Sequence, residues 1–255
     1  MKSETTNRTA LVTGASRGLG ASIAVQLGAI GLNVAVNYFQ NKAAAERVCE
    51  RICEAGGEAG GKALPFQADV RTESEVARLV HEVTDTLGNI DVLVLNATGP
   101  QPFLCIEEQT WAAYLDQLEF FVKSPLLLVK EVVPGMKRRG FGRIINIGSE
   151  VVDIGNAKFA NYVSAKAAQL GLTRSWALEL ASTGITINLV APGWIPTERH
   201  IDSSQADIDA YIARVPMQRM GTPEDVASVV AFLAGDAAGF ITGQKFAVNG
   251  ANTLA

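Results

Sequence analysis

The chain lacks the features that mark nucleic-acid-binding, membrane and secreted proteins. Its 255 residues carry a formal net charge of −4, so no broad positive surface for nucleic acid or anionic lipid is expected. Apolar stretches are interrupted by charge or proline within about ten residues, which is too short to cross a bilayer. The polar start "MKSETTNRTA" lacks the apolar segment of a secretory signal. We expect a soluble, cytoplasmic protein with neither a nucleic-acid nor a membrane partner.

Residues that could build a metal site or a disulfide framework are also few. The three cysteines, Cys49, Cys53 and Cys105, are odd in number and lack the clustering of zinc ligands. The two histidines, His81 and His200, add no ligand pattern. We expect buried or half-buried thiols and no metal.

Strand-like and helix-like segments alternate along the whole chain. The strand-like runs are short and continuously apolar, as in a parallel sheet that is covered on both faces. The pattern predicts a single-domain, Rossmann-type, doubly wound α/β sheet of about seven strands. The runs are "TALVTG", "LNVAVNY", "KALPFQADV", "IDVLVLNA", "GRIINIGS", "ITINLVAPG" and "QKFAVNG". The intervening helices are expected to begin near Arg17, Asn41, Thr72, Trp111, Phe159 and Thr222.

Two helical segments are more apolar than one buried face requires. They are "LEFFVKSPLLLVKEVV" and "VSAKAAQLGLTRSWALELA". One face of each helix would cover the sheet, and a second apolar face favours packing on another subunit. We expect a homo-oligomer, with a tetramer favoured and a dimer possible; a larger core than average is the alternative.

A glycine-rich stretch, "ALVTGASRGLGASIA", joins the first strand to the first helix. Gly14 permits a tight turn, Gly18 lets the backbone approach a pyrophosphate, and Gly20 permits close packing of helix on strand. The helix N-terminus supplies unpaired N–H groups and a positive dipole end. The spacing is G-x-x-x-G-x-G, so the position between strand and helix is what indicates a dinucleotide site.

The end of the second strand indicates which dinucleotide is bound. NAD-binding proteins usually place a carboxylate there to hold the ribose 2′-hydroxyl, whereas residues 37–42 read "NYFQNK". This stretch has no carboxylate that could repel a 2′-phosphate, and Arg17 and Lys42 could pair with that phosphate. We expect NADP, with NAD possible.

The stretch "FANYVSAKAAQ" is helical in character and places Tyr162 and Lys166 on one face, a turn apart. Such a pair is most often an amphipathic rim whose polar ends lie in water. Its interpretation therefore depends on the rest of the chain.

Taken together, these motifs resemble the short-chain dehydrogenase/reductase family over nearly the whole chain. The resemblance is nearest to a group of reductases that includes 3-oxoacyl-thioester reductases. It is carried by the glycine loop, "ADV" at 68–70, "DVLVLNA" ending at Ala97, "GRIINIGS" ending at Ser149, Tyr162 with Lys166, "APGWIPT" at 191–197, "GTPEDVA" from Gly221 and "ITGQ" from Ile241.

The resemblance implies a role for each matching residue. Tyr162 would be the catalytic acid/base, Ser149 would hydrogen-bond the substrate oxygen, and Lys166 would hold the nicotinamide ribose and lower the pKa of the tyrosine. Asp69 and Val70 would contact adenine. The implied cofactor contacts are Gly14, Ser16, Arg17, Gly18, Leu19, Gly20, Tyr38, Asp69, Val70, Asn96, Ala97, Tyr162, Lys166, Pro192, Gly193, Ile195 and Thr197.

Elementary electrostatics agree with the role of the lysine. A free tyrosine has a pKa near 10, so proton transfer near neutral pH needs a decrease of about three units, roughly 4 kcal/mol. One positive charge at about 4 Å in an effective dielectric near 20 supplies about 4 kcal/mol. A single lysine one turn away, Lys166, is sufficient in magnitude.

Two positions depart from the family pattern. Asn96 and Ala97 are followed by Thr98, with Gly99 one place later than the family glycine. Many members also carry an asparagine on the long helix after the fourth strand, where it organises a water for proton relay. Counting back along the helix places this position at Phe121, and counting forward places it at Leu118. Asn146 or a main-chain carbonyl could hold the water instead.

The segment at about 194–220 is expected to form a mobile lid over the nicotinamide. Trp194, His200, Tyr211 and Met217 are candidates to line the substrate space, although a loop histidine and ordinary packing explain the last three as well.

We therefore expect an NADP-dependent oxidoreductase whose substrate is a ketone or secondary alcohol, with 3-oxoacyl thioesters among the candidates. The alternative is a dinucleotide-binding redox sensor without turnover, which would have no need of the proton donor Tyr162. A sugar-nucleotide epimerase is disfavoured, because no substantial substrate domain follows residue 200.

Overall fold

The computed structural model describes residues 8–56 and 61–254, except for the side chain of Arg199. All seven predicted strands are present, and every neighbouring pair is parallel. Their order across the sheet is β3-β2-β1-β4-β5-β6-β7. The strands are β1 Thr9–Val12, β2 Asn33–Tyr38, β3 Ala63–Gln67, β4 Ile90–Leu95, β5 Gly142–Ile147, β6 Ile185–Pro192 and β7 Lys245–Val248. The predicted doubly wound α/β fold is confirmed.

Helices connect the strands and begin within about a residue of the predicted positions. Between α4 and α5 the chain makes one wider π-helical turn, Glu119–Lys123. The helices are α1 Gly18–Ala29, α2 Lys42–Gly56, α3 Glu73–Leu87, α4 Trp111–Leu118, α5 Ser124–Arg139, α6 Val151–Ile154, α7 Ala160–Leu180, α8 Gln205–Arg214 and α9 Pro223–Ala234.

The hydrophobic core lies on both faces of the sheet. Side chains that alternate along one strand enter different clusters: Ala10 and Val12 pack with α1, α2 and α9, whereas Leu11 packs with α3, α5 and α7. All three are fully buried. Burial of such a side chain contributes roughly 1.5–3 kcal/mol. Burial on both faces explains why the strands read as continuous apolar runs.

The strand order places a crevice at the carboxyl ends of β1 and β4. The chain runs from β1 through β2 to β3 on one side, and β4 then starts the other side next to β1. Ligands of open α/β sheets bind outside such a switch point. The loops that begin at Thr13 and Asn96 follow β1 and β4 and therefore form its walls.

The thiols differ partly from expectation. Cys49 is buried, Cys105 is half-buried, and Cys53 is exposed because it lies on the outer side of α2. Burial raises the pKa of the Cys49 thiol to about 12. The described residues contain no group of three or more His, Cys, Asp or Glu side chains placed to hold a metal ion.

Apolar side chains remain at the outer surface of two helices. Leu126 on α5 is 43% exposed and Leu178 on α7 is 85% exposed. Exposed apolar side chains of this kind would suit a subunit interface, and the homo-oligomer stays a prediction. No helix within the described ranges combines the length and apolar character needed to span a membrane. Residues 1–7 of the polar amino terminus lie outside the described part of the chain.

We predict that Gly184, which leads into β6, tolerates no side chain. Its φ is +77° and an added Cβ would lie 2.1 Å from the carbonyl oxygen of Gly140. Gly88 also has a positive φ, +89°, but a Cβ there would meet nothing within 4 Å. Urea unfolding should show a loss of about 1–2 kcal/mol for Gly88→Ala from backbone strain, and a larger loss for Gly184→Ala. Equal losses would contradict the close approach at Gly184.

Candidate active site

The loop after β1 depends on its glycines. Gly14 and Gly18 have φ values of +61° and +56°, in the left-handed region that favours glycine. A Cβ on Gly14 would lie 2.9 Å from the Cα of Ala97, and one on Gly20 would lie 2.6 Å from the carbonyl oxygen of Gly14. The loop and the end of β4 are thus in direct backbone contact, and the first turn of α1 opens beside them.

Hydrogen bonds between β1 and β4 hold this contact. The Thr13 hydroxyl accepts from the N–H groups of Asn96 at 2.9 Å and Ala97 at 3.0 Å. The Asn96 amide donates to the carbonyl oxygens of Thr13 at 2.9 Å and Gly14 at 3.2 Å. Asn96, one of the cofactor contacts that the resemblance implies, therefore uses its amide to hold the glycine loop. Sequence reasoning did not single out Thr13, because a threonine at a strand end carries no distinctive signal.

A cavity of about 570 Å³ lies above the N-terminus of α1. Three guanidinium groups border it, from Arg17 on the loop and from Arg47 and Arg51 on α2. The other lining residues are Ser16, Gly18, Ala21, Ser22, Asn41, Ala44, Val48, Pro196, Thr197, Glu198, Pro223 and Glu224. Lys42 is not among them; its side chain is 69% exposed and lies 3.6 Å from Glu46. Arg47 and Arg51 had no motif to mark them.

On the adenine side, Asp69 is held by a neighbour. Its carboxylate accepts from Arg71 at 2.9 and 2.6 Å, and these hydrogen bonds hold its pKa below the usual value. Val70 and Tyr38 are buried in the core. Of these three expected cofactor contacts, Asp69 alone carries a charged side chain, and that charge is already paired with Arg71.

The pair Tyr162 and Lys166 is buried rather than a solvated rim; their exposed fractions are 8% and 4%. The Lys166 ammonium donates to the carbonyl oxygen of Ile147 at 2.6 Å and to Oε1 of Gln169 at 3.2 Å. Ile147 is the last residue of β5, and Ser149 follows two residues later. The structure therefore brings Lys166 to the strand end from which Ser149 projects.

Ser149 itself is half-buried at the start of α6, where its hydroxyl accepts from the N–H of Val151 at 3.4 Å. The hydroxyl keeps its proton for another acceptor, since this contact uses only an oxygen lone pair.

Aromatic rings enclose the tyrosine. The Tyr162 ring stacks on Phe159 with centroids 4.6 Å apart, and Phe159 stacks on Phe103 at 4.2 Å. Phe121 meets Tyr162 edge to face at 5.4 Å. The Lys166 nitrogen lies 3.8 Å from the centre of the Phe121 ring. Phe121, in the π-helical turn, therefore occupies the place beside the lysine that the family asparagine was expected to hold.

The segment after β6 carries four of the cofactor contacts that the resemblance implies, Pro192, Gly193, Ile195 and Thr197. The Gly193 N–H donates to the carbonyl oxygen of Val248 at 3.0 Å. This bond extends the pairing of β6 with β7, in which Pro192 lies opposite Val248. Ile195 is buried, and Thr197 lies 3.3 Å from Nδ1 of His200. Leu19, on the first turn of α1, is half-buried against the core.

A buried tyrosine ties the expected lid to the strand ends. The Tyr211 hydroxyl on α8 accepts from the Trp194 N–H at 2.7 Å and donates to Glu150 at 2.8 Å. Glu150 is 3% exposed and also accepts from Asn252 at 3.1 Å. Tyr211 therefore supports the segment rather than lining it. Sequence reasoning missed Glu150, which lies directly after Ser149.

The other lid candidates take different positions. Trp194 and His200 lie edge to face with ring centroids 5.9 Å apart. Met217 is 60% exposed. Its N–H donates to the carbonyl oxygen of Gly250 at 3.2 Å, so it lies beside the carboxyl-terminal segment.

We predict that Tyr211→Phe destabilises the protein by about 2–4 kcal/mol, because it leaves the Trp194 N–H and one Glu150 oxygen without this partner. Burial raises the pKa of Tyr211 above that of a free phenol. As the pH rises, the unfolded chain therefore loses this proton before the folded protein does. The contribution of the Tyr211 hydroxyl to the free energy of unfolding is complete below pH 10 and decreases at higher pH. Urea unfolding should show this alkaline loss, up to ~1.4 kcal/mol per pH unit, in the native chain and in the control Tyr114→Phe. The same loss in Tyr211→Phe would contradict the assignment.

Comparison with known proteins agrees with the fold and the motifs. Residues 14–252 match the family model described as enoyl-(acyl carrier protein) reductase. The 3-oxoacyl-(acyl-carrier-protein) reductase FabG of Staphylococcus epidermidis is 44% identical over 96% of this chain and 98% of its own. The acetoacetyl-CoA reductase of Allochromatium vinosum is 38% identical over 95% and 97%. A short-chain dehydrogenase/reductase mutant of Serratia marcescens superposes with a TM-score of 0.90 at 32% identity, covering 98% and 99%. The chain belongs to the short-chain dehydrogenase/reductase family of oxidoreductases.

Proposed function

We propose that this protein is an NADP-dependent carbonyl reductase in which Tyr162 donates the proton. Its substrate would be a ketone or a 3-oxoacyl thioester, with the secondary alcohol as product. The relatives named as 3-oxoacyl-(acyl-carrier-protein) and acetoacetyl-CoA reductases support this substrate class. The protein would act in the cytoplasm as a homo-oligomer, with a tetramer favoured.

One observation carries the proposal: the Lys166 ammonium is buried between the end of β5 and the Tyr162 ring. It lies 2.6 Å from the Ile147 oxygen and 5.7 Å from the Tyr162 ring centre. A positive charge at 5.7 Å, in an effective dielectric near 20, stabilises a phenolate by ~3 kcal/mol. This lowers the pKa of Tyr162 toward neutral pH, which is what a proton donor for a reduced carbonyl requires.

The residues of the crevice fit a dinucleotide. Gly14 and Gly20 let the loop pack closely against Ala97, Asn96 and its own backbone, and this places the N-terminus of α1, with its N–H groups, where it could bind a pyrophosphate. When bound, the cofactor supplies the hydride. Ser149 then orients the substrate carbonyl by a hydrogen bond, and Tyr162 protonates the oxygen as charge develops on it. Lys166 would keep the phenol acidic and would hold a ribose hydroxyl of the bound cofactor.

The preference for NADP rests on charge. Arg17, Arg47 and Arg51 border the cavity beside the phosphate loop, and guanidinium groups bind phosphate in a bidentate way. The end of β2 adds no carboxylate, since residues 37–42 carry none. A 2′-phosphate would be attracted there, whereas NAD offers only a hydroxyl.

The substrate would enter along an apolar wall. Phe103 is 63% exposed and stacks on Phe159, which stacks on Tyr162, so the approach to the phenol is aromatic. The Pro100 oxygen accepts from Gln117 at 2.9 Å and the Pro102 oxygen from Asn161 at 3.4 Å. These bonds stiffen this edge of the crevice. The segment 194–220 would close the opposite edge as a lid.

We predict that Tyr162→Phe lowers turnover at least ~100-fold, because the proton donor is lost. NADPH affinity, measured by fluorescence titration, should stay within about threefold, since the ring and its packing remain. The assay follows NADPH oxidation with acetoacetyl-CoA, simple ketones and diketones. Tyr114→Phe, on α4, is the matched control and should keep full activity. A fully active Tyr162→Phe would refute the mechanism.

A wild-type protein that binds NADPH but reduces nothing in this panel would support the alternative of a redox sensor. Retained affinity with abolished turnover in Tyr162→Phe alone would exclude it.

We also predict that Arg17→Ala weakens NADPH binding about tenfold or more while NADH binding changes less than about threefold. The reason is that only NADPH carries the 2′-phosphate. Fluorescence titration with both cofactors measures the effect, and Lys130→Ala, an exposed cation on α5, serves as the control. An equal loss for both cofactors would mean that Arg17 holds the pyrophosphate instead.

A further inference from the structure

The amide of Gln169 lies behind Lys166 on the sheet-facing side of α7. Gln169 is 1% exposed, and its Oε1 accepts from the Lys166 ammonium at 3.2 Å. Burying a primary amide costs free energy unless its hydrogen bonds are made. A glutamine facing the sheet therefore needs a reason, and the contact with the lysine supplies one.

A chain of hydrogen bonds fixes the orientation of this amide. An ammonium can only donate, so Gln169 must present its oxygen to Lys166 and its NH₂ group elsewhere. That NH₂ group donates to Oδ1 of Asn146 at 3.3 Å, and the Asn146 amide donates to the Thr173 hydroxyl at 3.0 Å. The chain ends at Thr173, whose hydroxyl donates to the main-chain carbonyl oxygen of Gln169 at 2.9 Å. Because Lys166 can only donate and this main-chain oxygen can only accept, the donors and acceptors between them have a single arrangement.

The network completes a cage around the ammonium. Its three described sides are the Ile147 carbonyl oxygen, the Gln169 amide oxygen and the Phe121 ring. All three are neutral. A buried ammonium needs such partners to remain charged, and an aromatic face adds attraction without a counter-charge. None of these three partners carries a negative charge that would offset the ammonium.

We propose that Gln169 is the positioning residue of Lys166: its neutral amide, oriented through Asn146 and Thr173, holds the ammonium beside Tyr162. With Phe121, it takes over the place that a polar residue on the preceding helix fills in many relatives. The proposal rests on the function proposed above, because it concerns the acidity of the same tyrosine.

The ionisable groups on the elements around Tyr162 are consistent with this role. The Lys166 nitrogen lies 5.7 Å from the centre of the Tyr162 ring. Glu119 and Lys123 of the π-helical turn lie 3.3 Å from each other, and Glu150 is held by Tyr211 and Asn252. Other ionisable groups on the packed elements and adjoining loops include Tyr114 and Asp116 on α4, Arg143 on β5, Asp153 on α6, which pairs with Lys245, and Cys105, Glu107, Glu108 and Lys158. A carboxylate at position 169 would lie directly against the ammonium, because the Gln169 amide oxygen already contacts it.

Two substitutions of similar size test the proposal. Gln169→Met removes the acceptor and keeps an unbranched side chain, whereas Gln169→Glu keeps an acceptor and adds a negative charge. Asn188→Asp is the matched control, because Asn188 is a buried amide on β6, 1% exposed, that bonds to the carbonyl oxygen of Ile241 at 2.8 Å. Asn188 lies opposite Ile145 of β5, so the two side chains share one face of the sheet. That face is covered by α1, α2 and α9, and α7 lies on the other.

The decisive readout is the titration midpoint of Tyr162, which needs no substrate. Protein labelled with ¹³C at the tyrosine ring carbon that bears the oxygen gives one resonance per tyrosine, and the Tyr162 resonance is the one missing from Tyr162→Phe. Gln169→Glu should raise this midpoint by about one pH unit, because the carboxylate cancels part of the lysine charge. The alkaline fall of acetoacetyl-CoA reduction should move upward with it. Asn188→Asp should leave both unchanged.

Gln169→Met should lower kcat with NADPH and acetoacetyl-CoA about tenfold, with KM and the NADPH dissociation constant within about threefold. Thermal unfolding of each variant shows that the protein is folded at the assay temperature. A Tyr162 midpoint that Gln169→Glu does not move overturns the proposal. A wild-type enzyme that reduces no carbonyl contradicts the proposed function instead, and the midpoint still decides the role of Gln169.

Discussion

The arrangement of this protein depends on one buried positive charge. An ammonium removed from water must be compensated by hydrogen bonds or by an opposite charge, at a cost of several kcal/mol if it is not. The described structure surrounds Lys166 with the end of β5, a side chain of its own helix and an aromatic ring. No contact in that set neutralises it. The ring of Tyr162 lies 5.7 Å away, and in the proposed mechanism this charge acts on its phenol.

Several parts of the fold serve this constraint. The parallel sheet brings the Ile147 carbonyl to its carboxyl edge, at the same end as the phosphate loop after β1. The π-helical turn carries the Phe121 ring over the ammonium. Such turns are frequent at functional sites, since they shift the side chains that follow them around the helix axis. The crevice proposed to bind a dinucleotide and the proposed proton donor Tyr162 thus lie at the same edge of the sheet, as hydride transfer to a carbonyl would require.

Local patterns in the sequence predict the framework and most of its motifs. Apolar runs predict all seven strands; the five inner strands are buried on both faces, whereas the edge strands β3 and β7 are partly exposed. The glycine loop follows from its place between β1 and α1. The π-helical turn escapes such reasoning, because one additional residue in a helical turn leaves no trace in apolar periodicity. Counting along the helix therefore left Phe121 and Leu118 as alternatives, and only the structure places Phe121 on Lys166.

Contacts between distant residues were equally hidden. Glu150 and Tyr211 are 61 positions apart, and each alone looks like an ordinary surface residue. Arg47 and Arg51 lie on a helix whose face toward the cavity is set by its packing on α1. Asn96 matched a family motif, yet its amide is occupied by the phosphate loop, because the tight approach of β1 and β4 needs a donor there.

The most direct test of whether the Lys166 ammonium sets the acidity of Tyr162 is to titrate Tyr162 with Lys166 present and with Lys166 replaced. The chain has four tyrosines, so their ¹³C ring resonances can be assigned by single Phe substitutions. The account predicts that Tyr162 of the wild-type protein titrates clearly below the pH 10 of a free phenol. In Lys166→Met, the midpoint should return to that value or exceed it, since burial alone disfavours a phenolate. Equal midpoints in the two proteins would contradict the claim that the buried ammonium of Lys166 sets the acidity of Tyr162.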